Sequence, residues 1–169
     1  GSMSPATRAQ KAYALSHGFQ GLPVNAREVL DGELDMEQFV AEAYELLSAG
    51  DPVIVYSDAN SPEDVRGTQE YGEELGLSTT ERGEKIAGAL AEVARELVEA
   101  DLVGRLVISG GETSGAVCAC VGFGVLEVGL PVDPGVPYCF PASHPELMVV
   151  LKSGNFGSED FYLRVMNLE

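Results

Sequence analysis

Two short apolar runs each end in a glycine-rich turn that opens a helix, and this repeated join constrains the chain more than any other feature. Leu106-Val-Ile108 runs into Ser109-Gly-Gly-Glu-Thr-Ser-Gly115, and Leu147-Met-Val-Val-Leu151 runs into Lys152-Ser-Gly-Asn-Phe-Gly157. Runs this short, apolar throughout and rich in β-branched residues, read as strands buried on both faces. Pro52-Val-Ile-Val-Tyr56 reads as another, and Val125 to Val128 as a fourth. Val136 to Phe140, flanked by prolines, is expected as an edge strand with antiparallel pairing open to it.

Helical signals alternate with these strands. Ser4-Pro5 is an N-cap followed by proline at the first helical position, opening a helix that stops near Gly18. Asp35 caps a second helix, Met36 to Leu47, whose apolar residues recur at helical spacing and which Gly50 closes. Glu63 to Glu74 is expected to be partly helical. A long helix spans about Glu81 to Leu102, with Ile86, Leu90, Val93, Ala94 and Leu97 as its apolar stripe. Another begins around Thr113 and ends near Gly122, and Ser158 caps a last one, Glu159 to Met166. Gly21 to Asn25 is a short extended piece, and Pro131 to Pro137 is rich in turn residues. Strands alternating with helices predict an α/β layered sandwich, with a mostly parallel or mixed central sheet flanked by helices. At 169 residues the chain fits one domain, 1–169.

In such a sheet, ligands bind beyond the carboxyl ends of the strands, so two glycine turns there face one crevice. Gly110 and Gly111 permit tight or positive-φ backbone and close approach of a ligand. Thr113 and Ser114 add hydroxyls and unpaired amides at a helix start, which suits an anionic oxygen. Glu112 beside a phosphate calls for a cation between them, such as Mg²⁺; its other reading is that it favours the helix N-terminus electrostatically. Gly154 and Gly157 bracket Asn155, which tolerates left-handed backbone, and Phe156, which either packs on an adenine ring or points into the core. Lys152 either reaches a phosphate from its strand end or is solvated. Neither a Walker A loop nor a dinucleotide fingerprint occurs. The residues alone therefore give an α/β domain with an anion site.

The formal net charge of -17, from 27 acidic and 10 basic residues, argues against nucleic acid and against an anionic membrane surface. Backbone amides can still hold an anionic small ligand. No stretch is long and apolar enough to span a bilayer, and the first residues carry no signal-peptide pattern, so a cytoplasmic protein is expected. Cys118, Cys120 and Cys139 read as reduced thiols packed in the core. With His17 and His144 the only histidines, a zinc site is not supported. An acidic surface is compatible with a monomer or a homodimer.

Ser109 to Val117 resembles the G-G-E-T-S-G-A-V segment of the four-carbon acid-sugar kinase family, and Leu151 to Gly157 resembles its L-K-S-G-N-F-G segment. Asp133-Pro-Gly-Val-Pro137 is similar to its P-G-V-P segment, in the same order. Gly1-Ser-Met-Ser-Pro-Ala-Thr7, followed by Gln10, resembles its G-S-x-S-P-x-T and following glutamine. The resemblance implies that Gly1 and Ser2 are native, where the residues read without it leave a cloning remnant ahead of Met3 equally open; Met3 stands where a small residue is expected. The resemblance covers only the C-terminal, nucleotide-binding half of that family. It implies ATP and Mg²⁺ as cofactors, an acidic sugar (a tetronate or 3-oxo-tetronate) as phosphoryl acceptor, and a separate N-terminal substrate-binding domain as partner. It implies a nucleotide site built from Ser109, Gly110, Gly111, Glu112, Thr113, Ser114, Lys152, Ser153, Gly154, Asn155 and Gly157, with Glu112 as the metal contact. No catalytic base is assigned. Two rivals stay open: a non-catalytic nucleotide or sugar-phosphate binding module, and an enzyme of another class whose glycine turns hold a phosphorylated substrate.

Overall fold

Side-chain caps fix where most of the helices start. A computed structural model describes residues 4–58 and 61–168; Gly1 to Met3, the opening of the N-terminal motif, lie outside them. Helix α1 (Pro5–Ser16) starts where the Ser4 side chain accepts the amide of Thr7, with proline in its first turn. Strand β1 (Gln20–Val24) follows. Asn25 then caps α2 (Ala26–Asp31), a short helix absent from the periodicity reading, and Gly32 ends it at φ +76°. Asp35 caps α3 (Met36–Ser48), which leads to β2 (Val53–Ser57).

Capping boxes Ser61/Asp64 and Ser78/Glu81 open α4 (Pro62–Glu74) and α5 (Thr79–Glu99). The first makes the partly helical 63–74 segment fully helical. The second starts the long helix two residues ahead of the expected Glu81. Strand β3 (Arg105–Ser109) feeds α6 (Gly111–Val121). Strands β4 (Leu126–Asp133) and β5 (Val136–Pro141) form a hairpin turning at Pro134-Gly135. Strand β6 (Met148–Lys152) then leads to α7 (Phe161–Met166).

The α/β class stands, with parallel and mixed pairing. The strands divide into two hydrogen-bonded sheets, a parallel β1-β2 pair and a mixed sheet ordered β3-β6-β5-β4. Strand β5 pairs antiparallel with both neighbours, the pairing left open to it, but it is internal rather than at the edge. The edge belongs to β4, because Val136 and Cys139 of β5 are buried while β4 leaves Val128 and Leu130 exposed. The last helix begins at Phe161 rather than Glu159, because the Ser158 side chain bonds Asp133 instead of the helix start.

Successive strand residues face opposite layers. On one face Ile108 and Val149 pack with Ala94, Val98 and Val117 of α5 and α6. On the other, Val107 and Val150 pack with Ala14 of α1 and with Phe161 and Val165 of α7. Of the three cysteines, Cys139 is buried and Cys118 half-buried, and burial pushes both thiols up; Cys120 is exposed on α6, contrary to the core expectation.

Candidate functional site

Parallel pairing of β3 with β6 sets the site. Their ends are in register, Ser109 beside Lys152, so both glycine turns leave the sheet at one edge as neighbours. They are joined there: the Gly110 amide donates to the Lys152 carbonyl at 2.8 Å. Had the turns lain on opposite sides of the molecule, a shared anion site would have no basis.

The first turn depends on Gly110, whose φ of +106° favours glycine. Gly111 does not share that geometry; it is exposed at the first position of α6. The first bond within α6 runs from the Ser114 amide to the Gly110 carbonyl. The amides of Gly111, Glu112 and Thr113 precede it and are the donors a helix start leaves over. No side chain caps α6. Thr113 and Ser114 are half-buried. The Ser109 hydroxyl lies 2.8 Å from the Tyr162 hydroxyl; burial pushes that phenol up, with the Ser109 bond opposing. Glu112 is exposed and leans on α5: a Cβ on Gly83 would come within 2.4 Å of its Oε1.

The second turn is held from below by α1, which the sequence motifs matched without assigning a role. The Gly154 carbonyl accepts from Ser4 Oγ and from Thr7 Oγ1, the latter at 2.8 Å. Gln10 is buried, and its Nε2 lies 3.0, 2.8 and 2.9 Å from the carbonyls of Phe156, Gly157 and Ser158. Gly157, at φ +88°, has no room for a side chain, since a Cβ would sit 2.7 Å from the Phe161 ring. The signal for this clamp was present: Thr7, Gln10 and Ala14 form the buried stripe of α1, and polar residues on such a stripe need partners.

Lys152 is neither solvated nor extended toward the crevice. It is 1% exposed, and its Nζ donates to Thr7 Oγ1 at 3.0 Å and to the Ser153 and Gly154 carbonyls at 3.2 Å each. Those three oxygens match the three protons of an ammonium. Burial lowers its pKa to about 8. The structure therefore gives Lys152 a positioning role under the turn. Ser153 and Asn155 are exposed and Gly154 half-buried. Phe156 is outside the core: it is 47% exposed, with its ring over Gly135 of the β4–β5 turn. Asp133 braces the far end of the turn, accepting from the Ser158 amide at 2.8 Å and from the Arg164 guanidinium. Burial works to raise its pKa, but the Ser158 and Arg164 contacts outweigh that and lower it.

A depressed lysine pKa has a defined sign. Between about pH 8 and 10.5 the unfolded chain keeps a proton at Lys152 that the folded chain has released, so this residue's contribution to stability rises with pH across that window. We expect the stability difference between wild type and Lys152→Met to shift in favour of wild type over this range, and to be flat from pH 6 to 7. Urea melts at successive pH values read it. A difference that does not change with pH would show that burial leaves the amine unperturbed.

Among the described residues, no group of three or more acidic, histidine or cysteine side chains could hold a metal ion. Glu112, the carboxylate within the first turn, is of the type that holds Mg²⁺, an ion commonly bound by one or two carboxylates together with phosphates. No helix among the described residues is long and apolar enough to cross a membrane.

Adjoining strand-to-helix glycine turns, with free amides at the sheet's carboxyl edge, define an α/β domain with the geometry that suits an anion. Comparison with known proteins makes this specific. The chain belongs to the nucleotide-binding C-terminal domain family, which it matches over residues 1–162. It is 36% identical over 166 residues to a 3-oxo-tetronate kinase of Pseudomonas savastanoi pv. phaseolicola, a match covering 98% of this chain and 36% of that protein. It is also 36% identical over 172 residues to a 3-oxo-isoapionate kinase of Paraburkholderia graminis, covering 96% of this chain and 36% of the relative. A solved Salmonella typhimurium LT2 protein superposes with a TM-score of 0.80 at 29% identity, over 99% of this chain and 39% of that one. The chain thus spans little more than a third of the length of these relatives.

Proposed function

We propose that this chain holds ATP for a kinase that transfers the γ-phosphate to a hydroxyl of a four-carbon acid sugar, a tetronate or 3-oxo-tetronate. The observation that carries the reading is the bond from the Gly110 amide to the Lys152 carbonyl, which makes the two turns one cradle. In this reading the amides of Gly111, Glu112 and Thr113 and the hydroxyls of Thr113 and Ser114 face the phosphates. Ser109 sets the start of that turn. Ser153, Gly154, Asn155 and Gly157 form the opposite wall, Asn155 toward base or ribose and Phe156 as an exposed ring for the base to rest on. Lys152 shapes this wall from beneath. Phosphoryl transfer asks the protein for positioning and charge stabilisation more than for covalent chemistry, and fixed main-chain donors supply both. Mg²⁺, when bound with ATP, neutralises phosphate charge, and Glu112 is the residue to hold it. The acceptor sugar and the base that takes its proton come from an N-terminal substrate-binding domain outside the 169 residues. Such an enzyme works in the cytoplasm.

Calorimetric titration tests this. We expect saturable one-to-one binding of ATP·Mg²⁺, and no ATP consumption with a tetronate until a substrate-binding domain is supplied. In Glu112→Gln the gain in affinity that Mg²⁺ confers should shrink roughly tenfold. A folded chain giving no heat with ATP·Mg²⁺ would end the proposal.

A further inference from the structure

Between the two sheets lies a slot of about 250 Å³ whose walls include every residue of β2 and of β3. Among the described residues, strand β2 is hydrogen-bonded only to β1, and β3 only to β6, so each turns a free edge to the slot. The two sheets nevertheless form one interrupted layer. Ile54 of β2 and Val107 of β3 share one cluster with α1 and α7, while Val53 and Val55 on one side and Ile108 on the other pack on the same helix, α5. Direction agrees too. Helix α5 runs back along β2: the cluster of Leu90 takes in Val55 and not Val53, whereas that of Val93 and Leu97 takes in Val53 as well, and α5 then turns into β3. Both strands therefore run opposite to α5 and parallel to each other. Helices thus cover the slot on both faces, α5 on one and α1 with α7 on the other. Free edges of this kind are a template for strand pairing, because each presents a row of main-chain amides and carbonyls to be partnered.

We infer that the slot is the seat of a further strand, about five apolar residues running parallel to β2 and β3, and that it is supplied by polypeptide leading into α1 from its N-terminal side. Three observations select this occupant. Thr7, Arg8 and Lys11 of α1 line the slot, and Ser4 is tied to the Gly154 carbonyl just beyond the end of β6, so α1 starts at the same edge as both glycine turns. The Gly-Ser opening ahead of α1 repeats the pattern of the other two turns, each of which is fed by an apolar strand. The relatives carry polypeptide beyond the matched region, which is 36% of their length. A strand in the slot would unite the two sheets into one, in the order β1-β2-new-β3-β6-β5-β4. It would bring a third strand-to-helix turn to the nucleotide edge.

The test compares the 169-residue chain with two extended versions, one carrying Val-Leu-Ile-Val-Val ahead of residue 1 and one carrying Val-Pro-Ile-Pro-Val, whose prolines cannot donate to a ladder. Hydrogen exchange is followed by mass spectrometry over 53–57 and 105–109. We expect the apolar extension to slow exchange in both segments by about 100-fold, and the proline extension to leave it unchanged. If the shorter chain does not fold, recovery of a cooperative melt by the apolar extension alone carries the same support. Equal exchange in all three chains overturns the inference, as does equal rescue by both extensions or failure of the apolar extension to give a folded chain. Protection of the unextended chain that appears only with dimerisation in sedimentation velocity also overturns it, because the occupant is then a second copy.

Discussion

Gly110→Val is expected to weaken ATP binding by about 100-fold and to lower the melting temperature as well. Gly110 sits at φ +106°, ψ 136°, backbone that a β-branched residue reaches only under strain of about 1–3 kcal/mol. Relief of that strain rotates the peptide linking β3 to α6. The rotation breaks the Gly110 amide bond to the Lys152 carbonyl and turns the free amides of the first helical turn away from the phosphates. Gly111→Ala is the comparison. Gly111 has no positive φ, and its Cβ would meet nothing within 4 Å, so the fold should tolerate it. Loss of affinity there would report direct approach of the ligand to that amide. If Gly110→Val binds ATP like the wild type while remaining folded, the cradle does not hold the phosphates.

Gln10→Leu should destabilise the domain by about 2–4 kcal/mol, read as a shift in the urea midpoint. The leucine fills a similar volume but leaves the carbonyls of Phe156, Gly157 and Ser158 without their donor in a buried setting. Gln10→Glu should be at least as damaging, since it sets a carboxylate against three carbonyl oxygens. Because Gln10 touches the underside of the second turn, ATP affinity should fall in parallel with stability. An unchanged midpoint in Gln10→Leu would mean that α1 packs against the turn without holding it.

Local chemistry explains what could be read from the residues and what could not. Ser4, Asp35 and Pro5 announced their helices because an N-cap acts within one turn. The nearness of the two glycine turns was legible because strand ends in a parallel sheet share an edge. The six-residue α2 is too short to show a period; Asn25 followed by Glu28, with Gly32 closing it, was its signal. Strand β5 was expected at an edge because prolines flank it. Yet β5 borders β6 only through Tyr138 and Cys139, so Pro137 and Pro141 fall outside that ladder and interrupt nothing there. The direction of the Lys152 side chain was not legible at all. It is set by Thr7, 145 residues away along the chain, and no local pattern encodes that pairing. Phe156 is exposed for a related reason, its ring resting over a glycine in a distant hairpin.

The helices that open with Ser4, Asn25, Asp35, Ser61 and Ser78 each finish their own first turn, whereas α6, at the mouth of the crevice, has no such residue. A visiting anion would complete what the polypeptide leaves undone there. Cargo and scaffold are then not separable: occupancy should tighten α6 and, through the Gly110 amide bonded to the neighbouring turn, the floor beneath it.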